Sequence, residues 1–223
     1  MTHSEQKRNY QKELDKLIEA LGKEGRRPRL LLHSCCAPCS SYVLEYLSRY
    51  FEVTVYYYNP NIFPPEEYEA RAKEQQRLIR EMKLSEAVDF ETGEYRPEDF
   101  YAIARGHEKE AEGGERCFAC YELRLEHAAC RAAAGGYDYF TTTLSISPLK
   151  NAEKLNELGC RMAERWGVPY LVSDFKKKNG YKRSVELSLK YGLYRQNYCG
   201  CVYSREEAVS YTHLRAHETA ANL

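Results

Sequence analysis

Apolar positions along this chain recur in two alternating periods, and the alternation predicts an architecture. Residues 4–25 place Leu14, Leu17, Ile18 and Leu21 at helical spacing and end near Gly22. The run "RPRLLLHS" follows as a strand, and "SSYVLEYLSRYF" then sets Val43, Leu44, Leu47 and Phe51 on one helical face, with Ser40 or Ser41 as its cap. "EVTVYYYNPNIFPP" is β-branched and aromatic up to the turn at Asn59-Pro60 and predicts a second strand. "PEEYEARAKEQQRLIREM" predicts a helix entered at Pro65 with an acidic first turn, and "EAVDFE" a short third strand. Residues 96–136 read as two helices broken around Gly113-Gly114, the second ending at Gly135-Gly136. "YDYFTTTLSIS" is the next strand, "NAEKLNELGCRMAERWG" a helix and "VPYLVSDF" another strand. Last, "SVELSLKYGLYRQNYCGCVYS" is a helix running into a cysteine-bearing loop.

Strands alternating with helices imply parallel pairing through right-handed crossovers. The expected fold is therefore α/β, a doubly wound, mostly parallel, Rossmann-like sheet with helices on both faces. Ligands of such sheets sit at the carboxyl ends of the strands, where "LLLHSCCAPC" places its cysteines. Residues 29–208 are expected to form a single α/β domain, with 1–28 as an N-terminal helical extension. The final "VSYTHLRAHETAANL", residues 209–223, matches neither period and resembles translated sequencing-adaptor sequence, so it is set aside.

Composition narrows the class. Of 223 residues, 43% are hydrophobic and 30% charged, the balance of a globular protein. No segment approaches the ~18 apolar residues that span a bilayer, and the polar start lacks the apolar core of a signal peptide; the expectation is a cytoplasmic protein with no membrane partner. With 33 basic and 33 acidic residues there is no global footprint of a nucleic-acid binder, so local patches must carry any such contact. Twenty tyrosines suit polar interfaces and stacking on bases, although most read as ordinary core and surface.

Nine cysteines, an odd number without an export signal, point away from a disulfide framework and toward metal or redox chemistry. Cys130 and Cys160 stand alone in helices and read as small buried apolar residues. The others form three groups: Cys35, Cys36 and Cys39; Cys117 and Cys120; Cys199 and Cys201. Cys117-x-x-Cys120 at a helix start suits either a redox pair or half a zinc site. Cys35, Cys36, Cys117 and Cys120 together would satisfy a 4Fe-4S cluster or a structural tetrahedral zinc. Structural zinc closes with four ligands, so the surplus tilts the reading toward redox work. Cys199 and Cys201, too close for an unstrained disulfide, read either as an electron-delivering dithiol or, with Cys39, as ligands of a second iron.

The motifs "HSCCAPC", "YYYNPNIFPPEEYEAR", "RCFACYELRL", "TTTLSISPLKN" and "LYRQNYCGCVYS" occur in that order between about Arg29 and Ser204. On them the chain resembles the cobalamin-independent epoxyqueuosine reductases, the QueH family. The resemblance implies two-electron reduction of the epoxide of epoxyqueuosine, at the wobble position of tRNA, to the cyclopentene of queuosine, the last step of that modification. It implies a 4Fe-4S cluster on Cys35, Cys36, Cys117 and Cys120, a redox-active pair at Cys199 and Cys201, no cobalamin, and a separate electron donor that the sequence does not identify. Position 39 carries aspartate in some relatives, as ligand to an extra mononuclear iron, so Cys39 would exchange one anionic ligand for another. The mechanism expected from this is Lewis-acid activation of the epoxide oxygen by that iron while the cluster delivers electrons singly.

A tRNA substrate asks for phosphate contacts and stacking surfaces. "SDFKKKNGYKRS" offers Lys176, Lys177, Lys178, Lys182 and Arg183 in a glycine-containing loop, and "TTTLSISPLKN" offers Thr142, Thr143, Ser145, Ser147, Lys150 and Asn151 at a strand end. In "YYYNPNIFP", Asn59 sits at the strand end and Tyr58 or Phe63 could stack on a base. His33 reads either as proton donor to the opened epoxide or as a hydrogen-bonded support behind the cysteines. Two rivals stand beside the reductase: a zinc-stabilised nucleic-acid-binding module without redox activity, and a metal-free thiol oxidoreductase using Cys199 and Cys201.

Overall fold

The structure, a computed structural model, describes residues 8–84 and 86–208. The expectations for residues 4–7 and for the 209–223 tail lie outside the described residues. Four parallel strands, β1 (Arg29–His33), β2 (Glu52–Tyr57), β3 (Val88–Thr92) and β4 (Tyr139–Thr142), form one sheet in the order β3-β2-β1-β4. The chain runs outward from β1 through α2 (Ala37–Leu47), β2 and α3 (Pro65–Glu81) to β3. It returns through α4 (Pro97–Ala104) and α5 (Glu115–Ala134) to β4 on the other side of β1. The winding therefore reverses at β1, and a doubly wound sheet opens its ligand crevice at the carboxyl ends flanking that reversal.

Period two decides which helices cover which face. Leu30 and Leu32 point into a core with Leu14 and Leu21 of α1 (Tyr10–Lys23), Val43, Leu44 and Leu47 of α2, and Val53 and Val55 of β2. Leu31 points the other way, into a core with Leu125, Ala128 and Ala132 of α5 and Leu155, Leu158 and Met162 of α6 (Ala152–Trp166). Burial on both faces explains why β1 is an unbroken apolar run. Among the described residues, no helix is long and apolar enough to cross a membrane.

Three expected boundaries are corrected. Helix α2 begins at Ala37, with Cys36 in extended backbone at its N-cap and Pro38 in its first turn, where a missing N–H costs nothing. Ser40 and Ser41 are thus not caps; their hydroxyls donate back to the carbonyls of Ala37 and Pro38, and Cys39 lies in the first helical turn. The expected strand in "VPYLVSDF" shrinks to a single parallel bridge between Phe140 and Tyr170. Beyond the two backbone bonds to Phe140, side chains take the next groups: Thr141 donates to the Leu171 carbonyl, and the Asn156 amide pairs with both N–H and C=O of Ser173. Finally, α7 spans Gly180–Lys190, so Lys182 and Arg183 are helical and not in a loop.

Gly180 starts α7 against α2 with no room for a side chain. A Cβ there would collide with the Phe175 carbonyl oxygen and come 2.5 Å from Tyr42 Cε1. Because a backbone atom cannot swing aside, Gly180→Ala is expected to cost at least the ~1–3 kcal/mol typical of overpacking. Thermal unfolding of the variant should show this as a midpoint lowered by several degrees, at about 2–4 °C per kcal/mol for a chain of this size.

Candidate functional site: a thiol-lined pocket at the sheet reversal

The turn after β1 does what the crowded sequence requires. The extended backbone of Cys36 and the immediate start of α2 bring the sulfurs of Cys35, Cys36 and Cys39 within 4.8 Å of one another, with Cys35 and Cys36 Sγ 3.9 Å apart. Hydrogen bonding from Cys36, then Cys39, holds the Cys35 thiol well below its ordinary value. The same contacts to Cys35 push the Cys36 and Cys39 thiols up.

A second group comes from α5. Cys117, Cys120, Tyr121 and Arg124 stand at i, i+3, i+4 and i+7, one helical face, and all four line a small cavity with Cys199, Cys201, Arg116 and Asn61. That cavity is about 10 Å³, room for roughly one water, so no substrate enters by it. Burial raises the thiol of Cys120 to about 12 and raises those of Cys117 and Cys201. Cys199 also lines a larger, open cavity of about 220 Å³ shared with Cys35, Cys36, Cys39, Arg71, Glu112 and Lys150, which joins the two thiol groups. Cys130 and Cys160 remain half-buried in α5 and α6, outside both cavities.

Buried cations surround these sulfurs. Lys150 Nζ lies 3.1 Å from Cys199 Sγ and 2.7 Å from Glu112 Oε1, with its side chain 6% exposed. Burial disfavours this ammonium, but the acidic groups around it, Cys199 and Glu112 in direct contact, outweigh burial and hold it above its ordinary value. Arg71 pairs with Glu67 at 2.7 Å and donates to the Cys199 carbonyl, fastening the "CGC" loop to α3. Arg116 grips the preceding loop through the carbonyls of His107, Glu108 and Glu110. The sequence reading missed Arg71, Glu112 and Arg124. Helical spacing could have found two of them, as Glu67 to Arg71 and Cys117 to Arg124.

Other expected site residues turn inward. His33 is fully buried, its Nε2 3.0 Å from the Tyr58 carbonyl and its Nδ1 2.9 Å from Thr142 Oγ1. A carbonyl only accepts, so Nε2 carries the proton, Nδ1 accepts from Thr142, and Thr142 Oγ1 accepts in turn from the Leu144 N–H. Both nitrogens are spent, and burial with the nearby Arg124 charge depresses the imidazole to about 4. This corrects the proton-donor reading of His33 in favour of the support. Ser145 bonds Ser173, and Asn59 donates to the Ser34 carbonyl. Thr142, Thr143, Ser145 and Asn59 are all buried and line neither thiol cavity; Thr142, Ser145 and Asn59 are engaged within the fold, whereas the Thr143 hydroxyl has no partner. Tyr58 is likewise 1% exposed, its ring stacked 4.0 Å from His127, so it offers no free face to a base. Lys182 and Arg183 line a separate recess, Arg183 paired with Glu45 and Glu186, and Lys177 lines none of these cavities.

The His33 shift carries a stability prediction for the metal-free protein. Between pH 6.5 and about 4 the unfolded chain takes up a proton that the native site refuses, so stability is complete above that window and lost as pH falls through it. The loss is about 3 kcal/mol, and urea unfolding at pH 7 and pH 4.5 should show it in the parent and not in His33→Gln.

A parallel α/β sheet with a sulfur-rich pocket at its reversal marks an α/β protein whose thiols gather at the strand ends. The fold is shared with the U34-tRNA thiolase NcsA from Methanococcus maripaludis, solved with its 4Fe-4S cluster, at a TM-score of 0.51 and 12% identity over 86% of this chain and 67% of that one. The family model described as Epoxyqueuosine reductase QueH matches residues 30–207. Epoxyqueuosine reductase QueH of Staphylococcus epidermidis is 47% identical over 203 residues, 89% of this chain and 85% of that protein. The Streptococcus pyogenes protein of that name is 44% identical over 201 residues, 89% and 79%. The chain belongs to the epoxyqueuosine reductase QueH family.

Proposed function

We infer that this chain reduces the epoxide of epoxyqueuosine at the tRNA wobble position, completing queuosine, with its clustered thiols holding an iron–sulfur centre. The observation that carries the reading is the convergence of seven cysteines from three sequence segments on two adjoining cavities that Cys199 lines in common. The donor set fits such a centre: thiolates are its usual ligands, and the buried cations beside them match its negative charge. Cys35, Cys36, Cys117 and Cys120 are the proposed ligands of a 4Fe-4S cluster. Cys39, Cys199 and Cys201 remain for a second iron or a redox pair.

The reaction breaks both C–O bonds of the epoxide, forms a C=C bond and water, and consumes two electrons and two protons. A bound cluster supplies electrons one at a time. The chain supplies the rest. The open cavity, with Leu149 and Tyr181 exposed at its edge and Cys35, Cys36, Cys39 and Cys199 in its lining, is the proposed entry for the modified base. Lys150, held by Glu112 and facing that cavity, is the proposed proton source for the departing oxygen. The family assignment disfavours the zinc-stabilised binding module. Anaerobically purified protein is expected to be brown, to contain iron and acid-labile sulfide, and to convert epoxyqueuosine in tRNA when supplied with a reductant. Colourless protein holding stoichiometric zinc overturns the reading, and activity that survives iron removal assigns the chemistry to Cys199 and Cys201 alone.

A further inference from the structure

Arg71, Arg116 and Arg124 head the largest fully buried side chains. A guanidinium is charged at every relevant pH, so each needs a compensating anion or it destabilises the fold. Arg71 has Glu67 and Arg116 has Glu207. Arg124 has no carboxylate partner among the described residues. Its Nε donates to the Cys120 carbonyl, one turn back on α5, and both terminal nitrogens are without a hydrogen-bond partner. It lines the small cavity together with the thiols of Cys117, Cys120, Cys199 and Cys201, which come from two of the three cysteine groups. Tyr121, whose hydroxyl is also unpartnered, lies beside it.

We propose that Arg124 is a positioning residue reserved for the metal centre, its unpaired guanidinium supplying positive charge and two N–H donors to the sulfurs bound there. This rests on the iron–sulfur reading above and adds a function that neither cysteine spacing nor the reaction requires. Two consequences of opposite sign follow. In metal-free protein the uncompensated charge is a liability, so removing it does not destabilise the fold. In loaded protein the charge favours the more negative, reduced state, so removing it lowers the reduction potential.

The test compares the parent, Arg124→Met and Arg124→Lys, each reconstituted anaerobically with iron and sulfide and also measured metal-free. Arg124→Met is expected to melt at or above the parent when metal-free. Once loaded, it should either titrate at a more negative midpoint, followed by electron paramagnetic resonance, or fail to retain iron while still folded. Arg124→Lys keeps the charge and should restore the midpoint or the iron content toward the parent. A metal-free Arg124→Met that melts below the parent, or does not fold, assigns Arg124 to the scaffold and overturns the proposal. So does an unchanged midpoint, or failure of lysine to restore what methionine loses. A parent protein that takes up no iron defeats the iron–sulfur reading itself, an outcome separate from any behaviour of the variants.

Discussion

Cys120→Ser is expected to empty most of the iron from the protein and to lower epoxide reduction by more than about 100-fold, beyond the 10–100-fold loss usual for groups that only support a ligand. Cys120 is buried on the α5 face that also presents Cys117 and Arg124, and burial above all, against the opposing Arg124 charge, raises its thiol to about 12. A thiol that reluctant to ionise becomes a thiolate when a metal displaces its proton, so binding and deprotonation are one event. A serine hydroxyl, harder and far more basic, does not make that exchange. Cys130→Ser is the matched control: it lies on the same helix but outside both cavities, and its iron content and turnover should equal the parent's. Iron and sulfide analysis beside single-turnover assay on epoxyqueuosine-containing tRNA checks both variants. Parental iron content in Cys120→Ser would exclude it from the ligand set.

Lys150→Met is the second large effect. It keeps an unbranched side chain one atom shorter and removes the ammonium that bridges Glu112 and Cys199 at 2.7 and 3.1 Å. If that ammonium protonates the departing oxygen, the single-turnover rate should fall on the order of 10²-fold or more, the range typical of a general acid, with iron content unchanged. Lys150→Arg keeps a donor and should recover part of the rate. Because charge on Cys199 and Glu112 keeps the ammonium protonated well above neutrality, the parent's rate should show no Lys150 ionisation between pH 6 and 9. A methionine variant with the parental rate would reduce Lys150 to a clasp on Glu112.

Much of the fold was legible because burial on both faces leaves an unmistakable pattern: the run at Leu30, Leu31 and Leu32 could only be an interior parallel strand, and the helical periods around it define its coverings. The cysteine groups were legible because clustered thiols without an export signal have few uses. What misled was locally ambiguous chemistry. Threonines and serines after β4 suit either a substrate or the backbone, and Thr142 and Ser145 turned out to be committed to His33 and Ser173. "VPYLV" has strand propensity, but after its two backbone bonds to Phe140 the Thr141 side chain takes the Leu171 carbonyl and Asn156 takes both backbone groups of Ser173 just beyond it.

By itself, then, the amino-acid sequence determined the order of elements, the parallel sheet, the family and the identity of the sulfur ligand candidates, since each depends on short-range periodicity or on residue type. Which groups meet depends on the folded chain: that Cys199 joins both thiol cavities, that Lys150 stands against it, that both ring nitrogens of His33 are engaged, and that Arg124 is a buried cation without a carboxylate among the described residues. Those facts follow from the reversal of the winding at β1, which brings segments more than a hundred residues apart to one strand end, where burial makes every unpaired charge consequential.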